Sequence, residues 1–327
     1  MKAWRTHDGT VRLTDVPDPE PGPDELLVEV EVCGVCRTDL HVVDGDLDVH
    51  RPGVVPGHQV VGRVVAAGRD VRDARTGRRV GVAWLHRTCG VCRWCRSGRE
   101  NLCPDATFTG WDVDGGYADL VVVPEAYAHP LPDDDEALGL APLLCAGIIG
   151  YRALRRAQLP PGGLLGIYGF GSSGHITAQL ALAAGNRVVT VTRGEENRRL
   201  AASLGVEVVP DEHGVPSQPL DSAIVFAPVG DLLVDALDAT AAGGTVVSAG
   251  IHMSPLHEVD YDRSLFRERD LRSVTANTRA DATEFLALAR NLGLAPSVTE
   301  YGADEVDRAL ADLRDGRVSG SLVVRGR

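Results

Sequence analysis

Four cysteines, Cys89, Cys92, Cys95 and Cys103, fall in one short stretch as Cys-x2-Cys-x2-Cys-x7-Cys. Four thiolates at that spacing can close a tetrahedron around zinc and leave no position for a substrate, so the expected role is structural. A zinc ribbon that reads DNA is the rival, but no recognition helix follows and the chain is acidic. Three more thiols, Cys33, Cys36 and Cys145, are scattered, as is His58 in Pro56-Gly57-His58-Gln59. Two thiolates and an imidazole would leave one position of a zinc open, the pattern of a catalytic site. Spacing alone does not group Cys36, His58 and Cys145. A lone His after Gly reads as a loop residue, and a lone Cys in an apolar segment as core. Cys33 reads as a small buried hydrophobe. A third feature is Gly169-Phe170-Gly171-Ser172-Ser173-Gly174, a phosphate cradle if a strand precedes it and a helix follows.

Those contexts are present. Leu164 to Tyr168 is a short apolar run, and Ile176, Leu180 and Ala183 recur at helical spacing after the glycines. The first glycine would permit the turn, the second the approach of backbone to a pyrophosphate, and the third close packing of helix on strand. The helix N-terminus would present free N–H groups to the phosphates. Val188 to Val191, Ala223 to Phe226 and Thr245 to Ser248 continue as short buried strands between helical patterns, which predicts a doubly wound parallel sheet. Upstream the chain reads as β-rich. Leu26 to Val32 alternates apolar and acidic residues, and Val60 to Val65 and Leu120 to Val123 are further strands. Downstream, Asp281 with Glu284 predicts a capped helix start whose apolar face is Phe285, Leu288, Ala289 and Leu292. A second helix carries Val306, Ala309, Leu310 and Leu313, and a strand from Ser321 to Val324 returns to the first domain.

The 327 residues suffice for about two domains. With 33 Lys+Arg against 46 Asp+Glu the formal charge is −13, which disfavours nucleic acid and anionic membrane as partners. No apolar run approaches the ~18 residues of a membrane span. Met1 to Asp8 has no apolar core and does not read as a secretory leader. Seven cysteines, an odd number, argue against a disulfide framework and point to a cytoplasmic setting.

Taken in order, Cys36-Arg37-Thr38-Asp39-Leu40-His41, Gly57-His58, the four-cysteine lobe, Ala141 to Tyr151 and the glycine-rich loop form a longer pattern. It resembles the zinc-dependent alcohol dehydrogenases of the medium-chain dehydrogenase/reductase superfamily. Tyr168-Gly169-Phe170-Gly171 and Phe108-Thr109-Gly110 make it similar to a bacterial, cinnamyl-alcohol-dehydrogenase-like branch. The resemblance implies an α/β fold: a GroES-like, β-rich catalytic domain over residues 1–146 and 277–327, with a structural zinc lobe at 86–104. A Rossmann domain, with its doubly wound parallel sheet, would span 147–276. It implies two zincs per chain, one on the four-cysteine lobe and one on Cys36, His58 and Cys145. Thr38 would take the proton of the substrate alcohol and His41 would pass it towards solvent. Asp39 would bond His58 and fix its tautomer. Arg37, Gly169, Gly171, Ser172, Ser173 and Gly174 would bind the cofactor, and Trp84 and Tyr151 would lie near the substrate, unless they are ordinary core aromatics. The implied activity is reversible hydride transfer between a primary or secondary alcohol, held at zinc, and NAD(P). A homodimer or homotetramer is implied by the resemblance only.

Three departures sharpen the expectation. Thr192 stands where many relatives carry the acid that binds the adenosine ribose, eighteen positions beyond Gly174. Without that carboxylate a 2′-phosphate is not repelled, and Arg193 and Arg198 could pair with it, so NADP(H) is expected over NAD(H). Gln59 replaces the Glu that usually follows the zinc histidine, removing a negative charge, so the alcohol is expected to ionise at lower pH. Near the C-terminus Ser321 falls where many relatives carry Arg, which leaves cofactor affinity to Arg37 and the helix dipole. Two rivals remain: a zinc-free quinone or enone reductase, disfavoured by the full ligand set, and a non-catalytic zinc- and nucleotide-binding regulator, disfavoured by Thr38 and His41.

Overall fold

The computed structural model describes residues 1–73, 75–210, 214–256 and 258–327. The chain divides into two compact units. The first is Met1–Cys145, Ala276–Glu284 and Ser297–Arg327; the second is Ala146–Thr275 and Phe285–Pro296.

The first unit opens on a hairpin, β1 (Lys2–His7) and β2 (Thr10–Asp15). Its two-residue turn, Asp8-Gly9, has positive φ at both positions (44° and 72°), the conformation that Asp-Gly pairs favour. Next come β3 (Glu25–Val35), α1 (Arg37–Asp44), β4 (Gln59–Ala67) and β5 (Arg79–Val82). β6 (Leu85–Arg87), α2 (Arg93–Arg96) and β7 (Thr107–Phe108) frame the cysteine lobe. β8 (Leu120–Pro124), β9 (Ala128–Pro130) and α3 (Ala137–Leu140) lead to a 3-10 turn, Ala141–Leu144. The alternation in β3 decides its faces: Leu26, Val28, Val30 and Val32 are buried while Glu29 is exposed. Each such burial is worth about 1.5–3 kcal/mol, so a one-residue slip of register would forfeit the whole set.

The second unit contains α4 (Ala146–Ala157), β10 (Leu164–Tyr168), α5 (Ser172–Ala183), β11 (Arg187–Val191), α6 (Glu195–Ser203) and β12 (Glu207–Val208). They are followed by β13 (Leu220–Val225), α7 (Asp231–Ala239), β14 (Thr240–Ser248) and β15 (Asp270–Ser273). The six strands run parallel in the order β12-β11-β10-β13-β14-β15. The order reverses between β10 and β13, the crevice where a doubly wound sheet takes its ligand. β10 is buried along its whole length, as a strand covered on both faces must be.

α8 (Arg279–Leu292) runs through residues of both units; β16 (Val298–Tyr301), α9 (Val306–Arg314) and β17 (Ser321–Arg325) belong to the first. β17 pairs antiparallel with β3, completing a sheet ordered β16-β17-β3-β4-β5-β9, with β8 also on β3. Residues 285–296, expected with the catalytic domain, cluster instead with the second unit. The reason is local: Phe285 is fully buried with its ring 5.9 Å from Tyr151, and Ala295 donates its N–H to Gln179. α8 also starts two residues before Asp281. Thr278 is the cap, and Asp281 accepts from both its N–H and its hydroxyl while donating its own N–H back. Leu288 and Leu292, expected on the apolar face, are 36% and 41% exposed.

Candidate metal centre and cofactor loop

Register brings the first two ligands together. β3 ends at Val35, immediately before Cys36, and β4 begins at Gln59, immediately after His58. These strands pair antiparallel with Gly34 opposite Gln59, so Cys36 and His58 leave the sheet at the same end. Cys36 caps α1: its Sγ accepts from the Thr38 N–H at 3.3 Å, and its own N–H donates to Asp39 Oδ2 at 2.9 Å. Cys145 sits in the break between the 3-10 turn and α4, with non-helical backbone (φ −133°, ψ −70°). His58 Nε2 lies 3.4 Å from Cys36 Sγ and 3.3 Å from Cys145 Sγ. All three donor atoms fall within 4.8 Å of one another. Ligands at about 2.0–2.3 Å from a tetrahedral zinc stand about 3.5–3.8 Å apart, so the trio fits the ion and leaves one position for a further ligand.

Asp39 is what holds this geometry. It is 1% exposed, and its two oxygens are fully used. Oδ1 accepts the Gly57 N–H at 3.1 Å and faces His58 Nδ1 at 3.0 Å. Oδ2 accepts the Cys36 N–H and the Tyr117 hydroxyl, each at 2.9 Å. The His58–Asp39 bond puts the ring proton on Nδ1 and turns Nε2 to the sulfurs. Burial opposes charge on His58, but Asp39 and Cys36 outweigh it and push the imidazole up to about 10. A metal entering the site therefore has to displace the second ring proton, the one on Nε2, while the Nδ1–H stays on Asp39. The Cys36 thiol is held well below its usual range by a hydrogen bond from Cys145 and by His58; Cys145 is correspondingly pushed up.

Tyr117 is a site residue that sequence reasoning missed. Its hydroxyl is buried on Asp39, and its ring lies where a side chain at Gly57 would be: a Cβ there would approach Tyr117 Cδ1 to 2.7 Å and Cys33 Sγ to 2.9 Å. Gly57 also has φ 96°, so only glycine serves. The adjacent Gly115 and Gly116 were the available signal.

Trp84 is 8% exposed and meets His58 edge-on at 4.9 Å, then stacks with Phe108 at 5.1 Å and Trp111 at 5.9 Å. Thr38 is buried in the first turn of α1 and His41 stands one turn later on the same face, with Nδ1 2.8 Å from Asp46 Oδ2. Arg37 is exposed in that first turn. Gln59 is 2% exposed and Ser321, the first residue of β17, is also buried at 2%. Tyr151 lies in the second unit against Phe285. Cys33 is 2% exposed, its thiol pushed well up by burial, as a small core residue should be.

The other four thiols form a second cluster. Cys89 and Cys103 lie 3.5 Å apart, Cys92 and Cys95 3.5 Å, and Cys89 and Cys95 4.0 Å, against about 3.8 Å for the edge of a zinc–thiolate tetrahedron. Every cysteine is unpaired by disulfide. Backbone N–H groups of Val91 and Cys92 lower the Cys89 thiol to about 7, readying it as a thiolate.

The glycine-rich loop joins β10 to α5. Gly169 has φ 94°, and a Cβ on Gly174 would come within 2.4 Å of the Gly169 carbonyl. Gly171 is the N-cap of α5, and no side chain caps that N-terminus, the arrangement that suits an anion. Thr192 directly follows β11, but its hydroxyl turns back on this loop and accepts the Phe170 N–H at 3.1 Å. Arg198 donates from Nε to the Thr192 carbonyl at 3.3 Å, which places its guanidinium at the end of β11 beside the exposed Arg193.

Comparison with known proteins agrees with this architecture. Residues 22–133 match the family model of the alcohol dehydrogenase GroES-like domain, and residues 174–291 that of the zinc-binding dehydrogenases. The chain is 51% identical to the probable alcohol dehydrogenase AdhA of Mycobacterium tuberculosis (strain CDC 1551 / Oshkosh), over 99% of this chain and 97% of that one. It is 32% identical to an alcohol dehydrogenase of Geobacillus stearothermophilus, over 96% and 95% respectively. Among solved structures it is similar to a cinnamyl alcohol dehydrogenase (SbCAD4) of Sorghum bicolor, with TM-score 0.91, 28% identity and coverage of 99% and 97%.

Proposed function

Because the chain belongs to the zinc-dependent alcohol dehydrogenases, we propose that it carries two zincs per chain and reduces aldehydes or ketones, and oxidises primary or secondary alcohols, with NADP(H) in preference to NAD(H). The observation that carries the site assignment is the convergence of Cys36, His58 and Cys145 to within 4.8 Å, braced by a fully engaged Asp39. Cys89, Cys92, Cys95 and Cys103 have the closed donor set of a structural zinc.

When bound, zinc supplies Lewis-acid polarisation of the substrate oxygen and the nicotinamide supplies or accepts the hydride. The protein does the rest. Asp39 holds His58 in one tautomer and Cys36 in one capping geometry. Thr38 accepts the proton of the substrate hydroxyl, and His41 takes a proton on towards solvent. Trp84, Phe108 and Trp111 give a flat apolar wall beside His58, against which the carbon chain of the substrate packs. Gly169, Gly171, Ser172, Ser173 and Gly174 bind the pyrophosphate with backbone N–H groups. Two features support NADP(H): no carboxylate ends β11, and Arg193 and Arg198 stand there instead. Thr192 acts by holding the loop.

A dimer or tetramer is supported by exposed Tyr261 and Phe266 and by exposed Leu271 of the edge strand β15, whose outer side has no partner among the described residues. Seven free thiols suit a reducing, cytoplasmic setting. Two variants test the site reading. Cys145→Ala should keep the melting temperature and one zinc while losing turnover; retained aldehyde reduction would overturn the assignment. Cys95→Ala should lower the melting temperature more than it alters the chemistry of the enzyme that remains folded.

A further inference from the structure

The four donors that converge on Asp39 are not equivalent. Three belong to the segments that carry the metal ligands: the Cys36 N–H, the Gly57 N–H and the His58 ring. The fourth, the Tyr117 hydroxyl, comes from outside them. Its segment runs alongside residues 55–57, and the N–H groups of Gly115, Gly116 and Tyr117 donate to the carbonyls of Val55, Gly57 and Pro56. That segment is tied in turn to β1: the Trp4 N–H donates to the Tyr117 carbonyl, and Ala3 bridges Ala118. All of these are backbone bonds, so none depends on the hydroxyl. The hydroxyl has two acceptors in reach, Asp39 Oδ2 at 2.9 Å and the Gly34 carbonyl at 3.3 Å. The carboxylate is nearer and charged, and it takes the proton. Burial and Asp39 push the phenol well up, so that proton stays in place.

We propose that Tyr117 is a positioning residue for the zinc of Cys36, His58 and Cys145, acting through Asp39; the proposal rests on the assignment of those three residues to the metal. Asp39 couples Cys36 to His58, but a carboxylate held only by their two segments turns with them. The Tyr117 hydroxyl holds Oδ2 against a segment anchored on β1, and so sets the angle at which Oδ1 meets His58 Nδ1. The fold itself then aims Nε2 at the two sulfurs, which lowers the ordering cost of holding a metal there and slows its loss. The ring and the hydroxyl have separate tasks: the ring fills the space beside Gly57, and the hydroxyl aims Asp39.

The test follows zinc release from the zinc-loaded protein to a chromophoric chelator. Tyr117→Phe removes the hydroxyl and keeps the ring. It should speed the release of one zinc on the order of tenfold, the low end for a lost partner of a metal-binding histidine, and leave the four-cysteine zinc unchanged. In an Asp39→Ala background the same change should add nothing, because its effect travels through the carboxylate. Release from Tyr117→Phe at the wild-type rate would overturn the proposal. So would an equal acceleration in both backgrounds, which would mean that Tyr117 only packs the loop around Gly57. If Asp39→Ala loads no zinc outside the cysteine lobe, the comparison of Tyr117→Phe with wild type decides alone. If the wild-type protein itself holds a single zinc, on the cysteine lobe, the site assignment fails and takes this proposal with it.

Discussion

Asp39→Asn is the most informative single change, because it keeps volume and alters only what the two oxygens can do. In the native site four donors converge on Asp39: two N–H groups, one hydroxyl and the His58 Nδ1–H. An amide has one acceptor oxygen, so either orientation turns an NH2 towards two of those donors. The Tyr117 hydroxyl and the His58 ring can each turn to accept from that NH2, so one backbone N–H, of Gly57 or of Cys36, is left unsatisfied at a cost of about 1–3 kcal/mol. Removing the Asp39 charge also takes away the largest influence holding the His58 imidazole up, and frees the ring to take the other tautomer. Loss of such a partner typically weakens metal affinity 10–100-fold. The assay is zinc release to a chromophoric chelator, followed per chain, beside a denaturant titration. The variant should give up one zinc 10–100-fold more readily while the four-cysteine zinc stays, and should be about 1–3 kcal/mol less stable. Release kinetics and stability both matching the wild type would refute the reasoning.

Other consequences are equally direct. Gly57→Ala adds a Cβ 2.7 Å from the Tyr117 ring at φ 96° and should cost about 1–3 kcal/mol in a denaturant titration. Gly174→Ala meets the Gly169 carbonyl at 2.4 Å, so the KM for cofactor should rise by tenfold or more with zinc content unchanged. Thr192→Asp should shift the ratio of kcat/KM towards NADH, on the order of tenfold or more; no change in the ratio would dissociate this position from cofactor choice. His129 is buried, and its imidazole is pushed down to about 4, chiefly by burial and then by Arg279. Above about pH 6.5 it is neutral folded and unfolded and has no effect. As pH falls towards 4 the unfolded chain takes up a proton that the folded one refuses, so stability drops by up to about 3 kcal/mol. His129→Gln should flatten the stability profile between those limits.

Much of this was legible in the sequence where patterning was strong. The alternation of Leu26 to Val32, the apolar run of β10 and the Val306, Ala309, Leu310 face correspond to buried positions, because burial of repeated Val and Leu is the dominant local signal. The apolar face of α5 was wider than the Ile176, Leu180, Ala183 reading, since Ala178 and Ala181 are buried and Ala183 is exposed. Alanine carries too little hydrophobicity to mark a face. Short strands such as β12 and β15 have few apolar residues and are defined by their partners instead. The two groups of candidate metal ligands differ in the same sense. The four-cysteine lobe is local and readable, whereas Cys36, His58 and Cys145 span more than a hundred residues and were grouped only by resemblance. What holds them was less visible still. Tyr117 reaches Asp39 from a separate loop, and Asp46 reaches His41 only because Gly45 reverses the chain.

The central claim is that this chain holds two zincs, one of them at a working site on Cys36, His58 and Cys145. The most direct measurement counts zinc per chain by elemental analysis and follows NADPH and NADH oxidation with a panel of aldehydes on the same sample. Two zincs with NADPH-dependent aldehyde reduction is the predicted result. One zinc, with no turnover of any aldehyde by either cofactor, would contradict the claim.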